Sequence, residues 1–294
     1  MHLLSCKANL IIMSEEIQEE KSRTEKETSR FKISILKSFA VAFIILVCLQ
    51  LLGSVINIPS YKWESLYHFT LPLSFLFGGT LAIFILLPYV KTDWKSITEH
   101  IWKPAGIGVV ILSILFYFLM LPFAEFLTSM VPTSGTEVLE EFYKEIIKAF
   151  EMMLDYKIAG FITVCILAPI FEEILFRGIL LRGLLQKGIS PIFAIFLSSF
   201  LFGLAHLNPW QFLGAGLLGA VFGFVYYRTK ALWICIFLHA LNNSISFIMM
   251  LKYESMDENV TNPNDQFSVV ICFIIAVLIG WGIYKLTKNK VSWN

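Results

Sequence analysis

Apolar residues run through this chain in long blocks, and the polar breaks between them set its organisation. A membrane span needs roughly 20 apolar residues, and eight stretches qualify: about 36–57, 66–90, 105–130, 158–181, 189–207, 210–227, 231–251 and 267–286. One connecting segment instead follows the helical period. From about Glu137 to Leu154, Leu139, Phe142, Tyr143, Ile146, Ile147, Phe150 and Met153 share one face, with Glu140, Glu141, Lys144, Glu145, Lys148 and Glu151 opposite. That pattern predicts an amphipathic helix on the membrane surface or over the bundle's mouth; an ordinary loop helix is the plainer alternative. Ser134 with Glu137 suits a capping box at its start. The expected fold is all-α, a polytopic membrane helix bundle of about eight transmembrane helices around a polar cavity.

The blocks divide the chain into a polar tail at 1–35, three spans over 36–130, the amphipathic helix at 131–157, a four-helix unit over 158–251, and a loop, last span and tail over 252–294. Residues 1–13 are too short to span and lack a small-residue cleavage site, so they do not form a signal peptide; Met13 is an alternative start. Residues 14–32 read as a solvated tail or short exposed helix. Ala215, Gly219 and Gly223 make a stripe of small residues that lets helices approach closely.

Composition agrees with the blocks. Of 294 residues 57% are hydrophobic and 15% charged, which places the chain in the bilayer. The net charge of +1 says nothing of acidic partners, and no basic aromatic-rich patch points to nucleic acid. Cys6, Cys48, Cys165, Cys235 and Cys272 have no paired spacing, which argues against disulfides and cysteine-type zinc sites. Lys and Arg crowd the tail before Lys37, the 91–104 loop, the turns at Arg182 and Lys187 and at Arg228 and Lys230, and the tail from Lys285. The alternating segments are poor in them, apart from the amphipathic helix. By the positive-inside rule the protein is a multi-pass cell-membrane protein with both termini cytoplasmic.

Against this apolar background, Pro169-Ile170-Phe171-Glu172-Glu173-Ile174-Leu175-Phe176-Arg177 places two carboxylates and a guanidinium inside a span. Charges at that depth face a polar interior and mark function. Glu173 and Arg177 are i,i+4 neighbours and can pair. Glu172 points about 100° away and has no local partner. The other polar candidates at membrane depth are taken to be His206, His239 and the asparagines near it, with Asn243 one turn from His239. Pro169 lacks a backbone donor, which frees the Cys165 carbonyl and suggests a wet break beside Glu172.

Clustering these groups satisfies all of them at once. A desolvated carboxylate is a usable general base, a neutral imidazole can hold the same water, and a second His with an Asn amide can stabilise an oxyanion. Those are the parts for hydrolysis by activated water. Ser198, Ser199 and Ser244 lie nearby without a paired His and acid.

The pieces Glu172-Glu173-x-x-x-Arg177, Phe202-x-x-x-His206 and His239-x-x-x-Asn243 resemble the three signature motifs of the CPBP family, which includes type II CAAX prenyl endopeptidases and bacterial Abi-type bacteriocin-processing and immunity proteins. The resemblance covers roughly 158–251 and implies an eight-helix intramembrane protease. It implies Glu172 as the base, His206 as its partner on the water, His239 and Asn243 as oxyanion stabilisers, and Glu173 and Arg177 as structural supports. The implied partners are a membrane-associated peptide or protein substrate and the lipid bilayer, and no cofactor is implied.

Two other readings compete. Glu172, His206 and His239 can ligate zinc, although HExxH is absent and neither His has an evident supporting carboxylate. A non-proteolytic immunity or scaffold protein, or a proton-coupled transporter, is the third reading; an inverted repeat expected of a transporter is not visible.

Overall fold

The computed structural model describes residues 31–253, 265–288 and Trp293. The expected N-terminal tail to residue 30 and most of the loop at 252–266 lie outside them. Ten helices without strands make up the described residues: α1 Ile35–Tyr61, α2 Glu64–Val90, α3 Trp94–Ile101, α4 Ile107–Ser129, α5 Glu137–Asp155, α6 Lys157–Gln186, α7 Pro191–Leu204, α8 Pro209–Thr229, α9 Leu232–Tyr253 and α10 Gln266–Thr287. Seven of these are long and apolar enough to cross a membrane.

The fifth expected span, 189–207, is the exception. Its helix α7 has 14 residues, about 21 Å at 1.5 Å per residue, against a hydrocarbon core of roughly 30 Å. The apolar run continues past Leu204, but Leu207 turns back at φ 56°. Asn208 then caps the next helix by accepting from Gln211 N at 2.8 Å, with Pro209 at its first position. Averaged hydropathy cannot register a cap, so the count is seven full-length helices and one short one.

The short helix matters because of what it stands beside. α6 is the centre of the bundle, with every residue from Glu173 to Leu185 buried. α7 returns antiparallel along it and packs on α6 and α8. Rising about 21 Å from the Ser190 turn, it ends near the level of Glu172, which sets His206 in the turn there. The small-residue stripe of α8 makes this approach possible. A Cβ at Gly219 would stand 3.0 Å from both Arg177 Nη2 and a Phe202 ring carbon. α4 packs between α8 and α10.

The amphipathic helix forms where expected, as α5. Its cap is Thr136 rather than Ser134: Thr136 Oγ1 accepts from Leu139 N, and Glu140 Oε1 accepts from Gly135 N, both at 3.3 Å. Gly135, at φ 121°, turns the chain between the two candidates and isolates Ser134 from the helix. Phe142 and Tyr143 of α5 pack on the Trp210 ring at the start of α8, and Trp210 Nε1 donates to Pro132 O. α5 therefore lies across one end of the bundle.

Candidate active site

α6 is not a uniform α-helix. It is π-helical over Ile162–Leu167 and again over Ile174–Leu181, with an α-helical turn between. Proline explains the first break. Ala168 N donates five residues back to Thr163 O, so the next carbonyl, Val164, would need a donor at residue 169, which is proline and has none. Asn243 Nδ2 supplies it at 2.8 Å. The break expected at Cys165 is thus shifted to Val164 by the π register, and a side chain from α9 fills it.

The following turn carries the two carboxylates. Glu173 and Arg177 are both 0% exposed, and they form the expected pair at 2.7 Å. Glu173 Oε1 also accepts from His239 Nδ1 at 2.9 Å. Arg177 Nη2 reaches Gly219 O at 3.0 Å, and its guanidinium lies 4.4 Å from the Phe202 ring centre. Cation, carboxylate and imidazole thus join α6 to α8 and α9. The expectation that neither His has a supporting carboxylate is overturned: Glu173 holds His239, although it lies 66 positions away.

Glu172 turns to the other side. Its carboxylate keeps 16% of its surface exposed and stands 3.9 Å from His239 Nε2, too far for a direct hydrogen bond. His239 is wedged between Phe202 and Phe222, with both ring centres 5.7 Å away. His206 Nδ1 is 3.0 Å from Phe202 O. A carbonyl only accepts, so Nδ1 must donate, and in the neutral ring Nε2 is left as the acceptor. The same logic at an ionised Glu173 makes Nδ1 of His239 a donor.

Glu172, His206, His239 and Asn243 all line one cavity of about 420 Å³. Glu173 and Arg177 stand behind it. On a second side, Glu172 and His206 border a chamber of about 30 Å³ with Gln50 and Phe176, room for about one water. Gln50 projects from a π-helical stretch of α1, Val47–Leu52, and donates to Ala205 O at 3.3 Å. Among the described residues no group of three His, Cys, Asp or Glu is arranged to hold a metal.

The cavity also contains groups the motifs did not mark. Tyr117 donates to Asn242 Oδ1 at 3.1 Å, and Asn242 Nδ2 donates to Asn243 Oδ1 at 3.2 Å, extending the polar chain to α4. Glu125, Thr128 and Gln211 line the same space. Glu125 overturns the expectation that the motif residues are the only ionisable groups facing the interior of the spans. Its signal was present, a carboxylate inside the apolar run 105–130; no spacing rule distinguishes Tyr117.

Residues 155–245 match the family model described as Type II CAAX prenyl endopeptidase Rce1-like. The chain is similar to "Putative membrane peptidase YdiL" of Bacillus subtilis (strain 168), 31% identical over 127 residues, or 43% of this chain and 48% of that protein. It is also similar to "UPF0177 protein YaiF" of Lactococcus lactis subsp. lactis (strain IL1403), 35% identical over 89 residues, or 30% of this chain and 39% of that one. The chain thus spans about half the length of the first relative and less of the second. No solved structure matches the chain. All seven motif residues lie inside the matched segment, so the resemblance carried by the motifs is borne out, while Tyr117 and Glu125 lie outside it.

Proposed function

We propose that the protein is an intramembrane endopeptidase that hydrolyses a peptide bond of a membrane-associated substrate, of prenylated, bacteriocin-like or signal-peptide type, by a water that Glu172 activates. The observation that carries this reading is the convergence of Glu172 from α6, His206 from the turn after α7 and His239 from α9 on one cavity, with an ion pair fixing His239 from behind. In the reaction, water gives a proton to Glu172 as its oxygen bonds to the substrate carbonyl carbon. The proton then passes to the departing amine as the C–N bond breaks. His206 Nε2 accepts the water's second hydrogen. Asn243 has one N–H committed to Val164 and a second left for the oxyanion. His239 can donate there only if its ring carries both protons, since Nδ1 is already committed to Glu173.

A zinc-dependent variant has one observation in its favour. A carboxylate behind a histidine, as Glu173 is behind His239, is the usual outer support of a metal-bound imidazole. Cleavage of candidate peptides in detergent, with metal analysis before and after chelation, separates the two. The proposal expects cleavage to survive chelation without stoichiometric metal. Zinc that is lost and restored together with activity would reassign Glu172, His206 and His239 as ligands. We further propose that both termini are cytoplasmic and that α7 counts as a crossing, its Asn208 turn reaching water through the cavity mouth.

A further inference from the structure

Taking the proposed peptidase as its premise, we infer that the cavity selects a substrate with a lysine or arginine side chain three to four residues from the scissile bond, bound by Glu125. The first ground is charge. Glu125 and Glu172 both line the cavity, and no Lys or Arg lines it among the described residues. Glu172 is needed for chemistry, whereas Glu125 belongs to α4, which carries none of the reacting groups. A carboxylate in an otherwise apolar helix is costly unless it serves a polar interior.

The second ground is distance. Tyr117 reaches Asn242 beside Asn243 at 3.1 Å, which marks on α4 the level of the asparagine assigned to the oxyanion. Glu125 lies eight residues farther along the same helix, about 12 Å. An extended peptide covers that length in three to four residues at roughly 3.3 Å each.

The third ground is the surroundings at that level. The turn of α4 that holds Glu125 presses on α8 at Gly214, where a Cβ would stand 2.6 Å from Thr128 Oγ1. Close packing there brings Gln211 and Trp210, one turn earlier on α8, to the same part of the cavity. A carboxylate, an amide and an indole suit a cationic side chain. Glu125 also interacts with the protein around it, so an arriving cation joins an existing contact.

The test uses N-acetylated peptides that are identical except for Lys, Met or Glu at each position three or four residues to either side of the cut. Cleavage is read as kcat/KM, and binding is read by fluorescence anisotropy on Glu172→Gln. Wild type should favour the Lys peptide over the Met peptide by at least about tenfold at one of these positions, mainly through KM. Glu125→Gln should bring that ratio close to one, and Glu125→Lys should favour the Glu peptide. Thermal shifts identify variants that fail to fold; Glu125→Gln, being isosteric, carries the test if Glu125→Lys does not. Equal use of Lys and Met peptides by wild type, or a preference that survives Glu125→Gln, overturns the inference. If no peptide is cut but Glu172→Gln binds the Lys peptide selectively through Glu125, the site stands and the peptidase reading falls. The same series is repeated without the acetyl group, and a Lys preference confined to those free-amine peptides means the cavity reads a terminal amine and refutes the side-chain assignment.

Discussion

Replacing Glu173 with glutamine tests how the site is supported. The substitution keeps shape but removes the charge that faces Arg177 at 2.7 Å and accepts from His239 at 2.9 Å. Arg177 has no access to solvent, so its charge would remain buried against the Gly219 carbonyl and the Phe202 ring. Stripping one partner from a buried pair costs about 3–5 kcal/mol, and the Phe202 contact returns only about 1–2 kcal/mol of attraction that is present already in the wild type. Against a total stability of about 5–15 kcal/mol, the loss should lower the thermal midpoint in detergent by roughly 5–15 °C and reduce the yield of folded protein. Activity should fall with it, and His239 should lose its orientation. The double variant Glu173→Gln/Arg177→Met should recover part of the loss, because no lone charge is left inside. A midpoint for Glu173→Gln within about 2 °C of wild type, or a double variant as unstable as the sum of the singles, would refute this account of the pair.

Asn243→Ala should cost about 1–3 kcal/mol by leaving Val164 O unsatisfied, and should slow turnover roughly 10²–10³-fold if its second N–H serves the oxyanion; a turnover that falls only with the folded fraction would leave Asn243 a purely structural role. His100 on α3 is held down to about 3 from 6.5 by burial and then by Arg182, Lys230 and Lys103. Below pH 6.5 the unfolded chain gains a proton that the folded one refuses, so stability should fall with acidity by up to about 1.4 kcal/mol per pH unit toward pH 3. His100→Gln should flatten that slope in a thermal-shift titration, and an unchanged slope would contradict the assignment. A reporter fused at Lys288 should behave as cytoplasmic; an external signal would mean that α7 does not count as a crossing.

The bundle was legible because burial in lipid is written in composition, and Glu172, Glu173, Arg177, His206 and His239 stood out because charge is costly there. Three kinds of feature were not legible. Helix ends depend on single caps, so Asn208 shortened α7 and Thr136 displaced Ser134 although the flanking residues looked suitable. Register depends on which carbonyl loses its donor, so the break at Pro169 fell on Val164 and drew in Asn243. Contacts between distant helices have no periodic signature, which is why Glu173 could be paired with Arg177 from spacing but not with His239. Glu125 differs from these: it met the same criterion as Glu172 and went unmarked because no second motif residue stood beside it.

In the proposed reading Glu172 carries the chemistry while Glu173, its neighbour in sequence, carries the architecture. Glu172→Gln keeps the size and hydrogen bonding of the side chain and removes the base. Its cleavage of a substrate peptide, measured in detergent beside its thermal midpoint, is the most direct test. The expected result is a midpoint close to wild type and cleavage abolished; normal cleavage, or inactivity explained by unfolding, would refute the assignment of the base to Glu172.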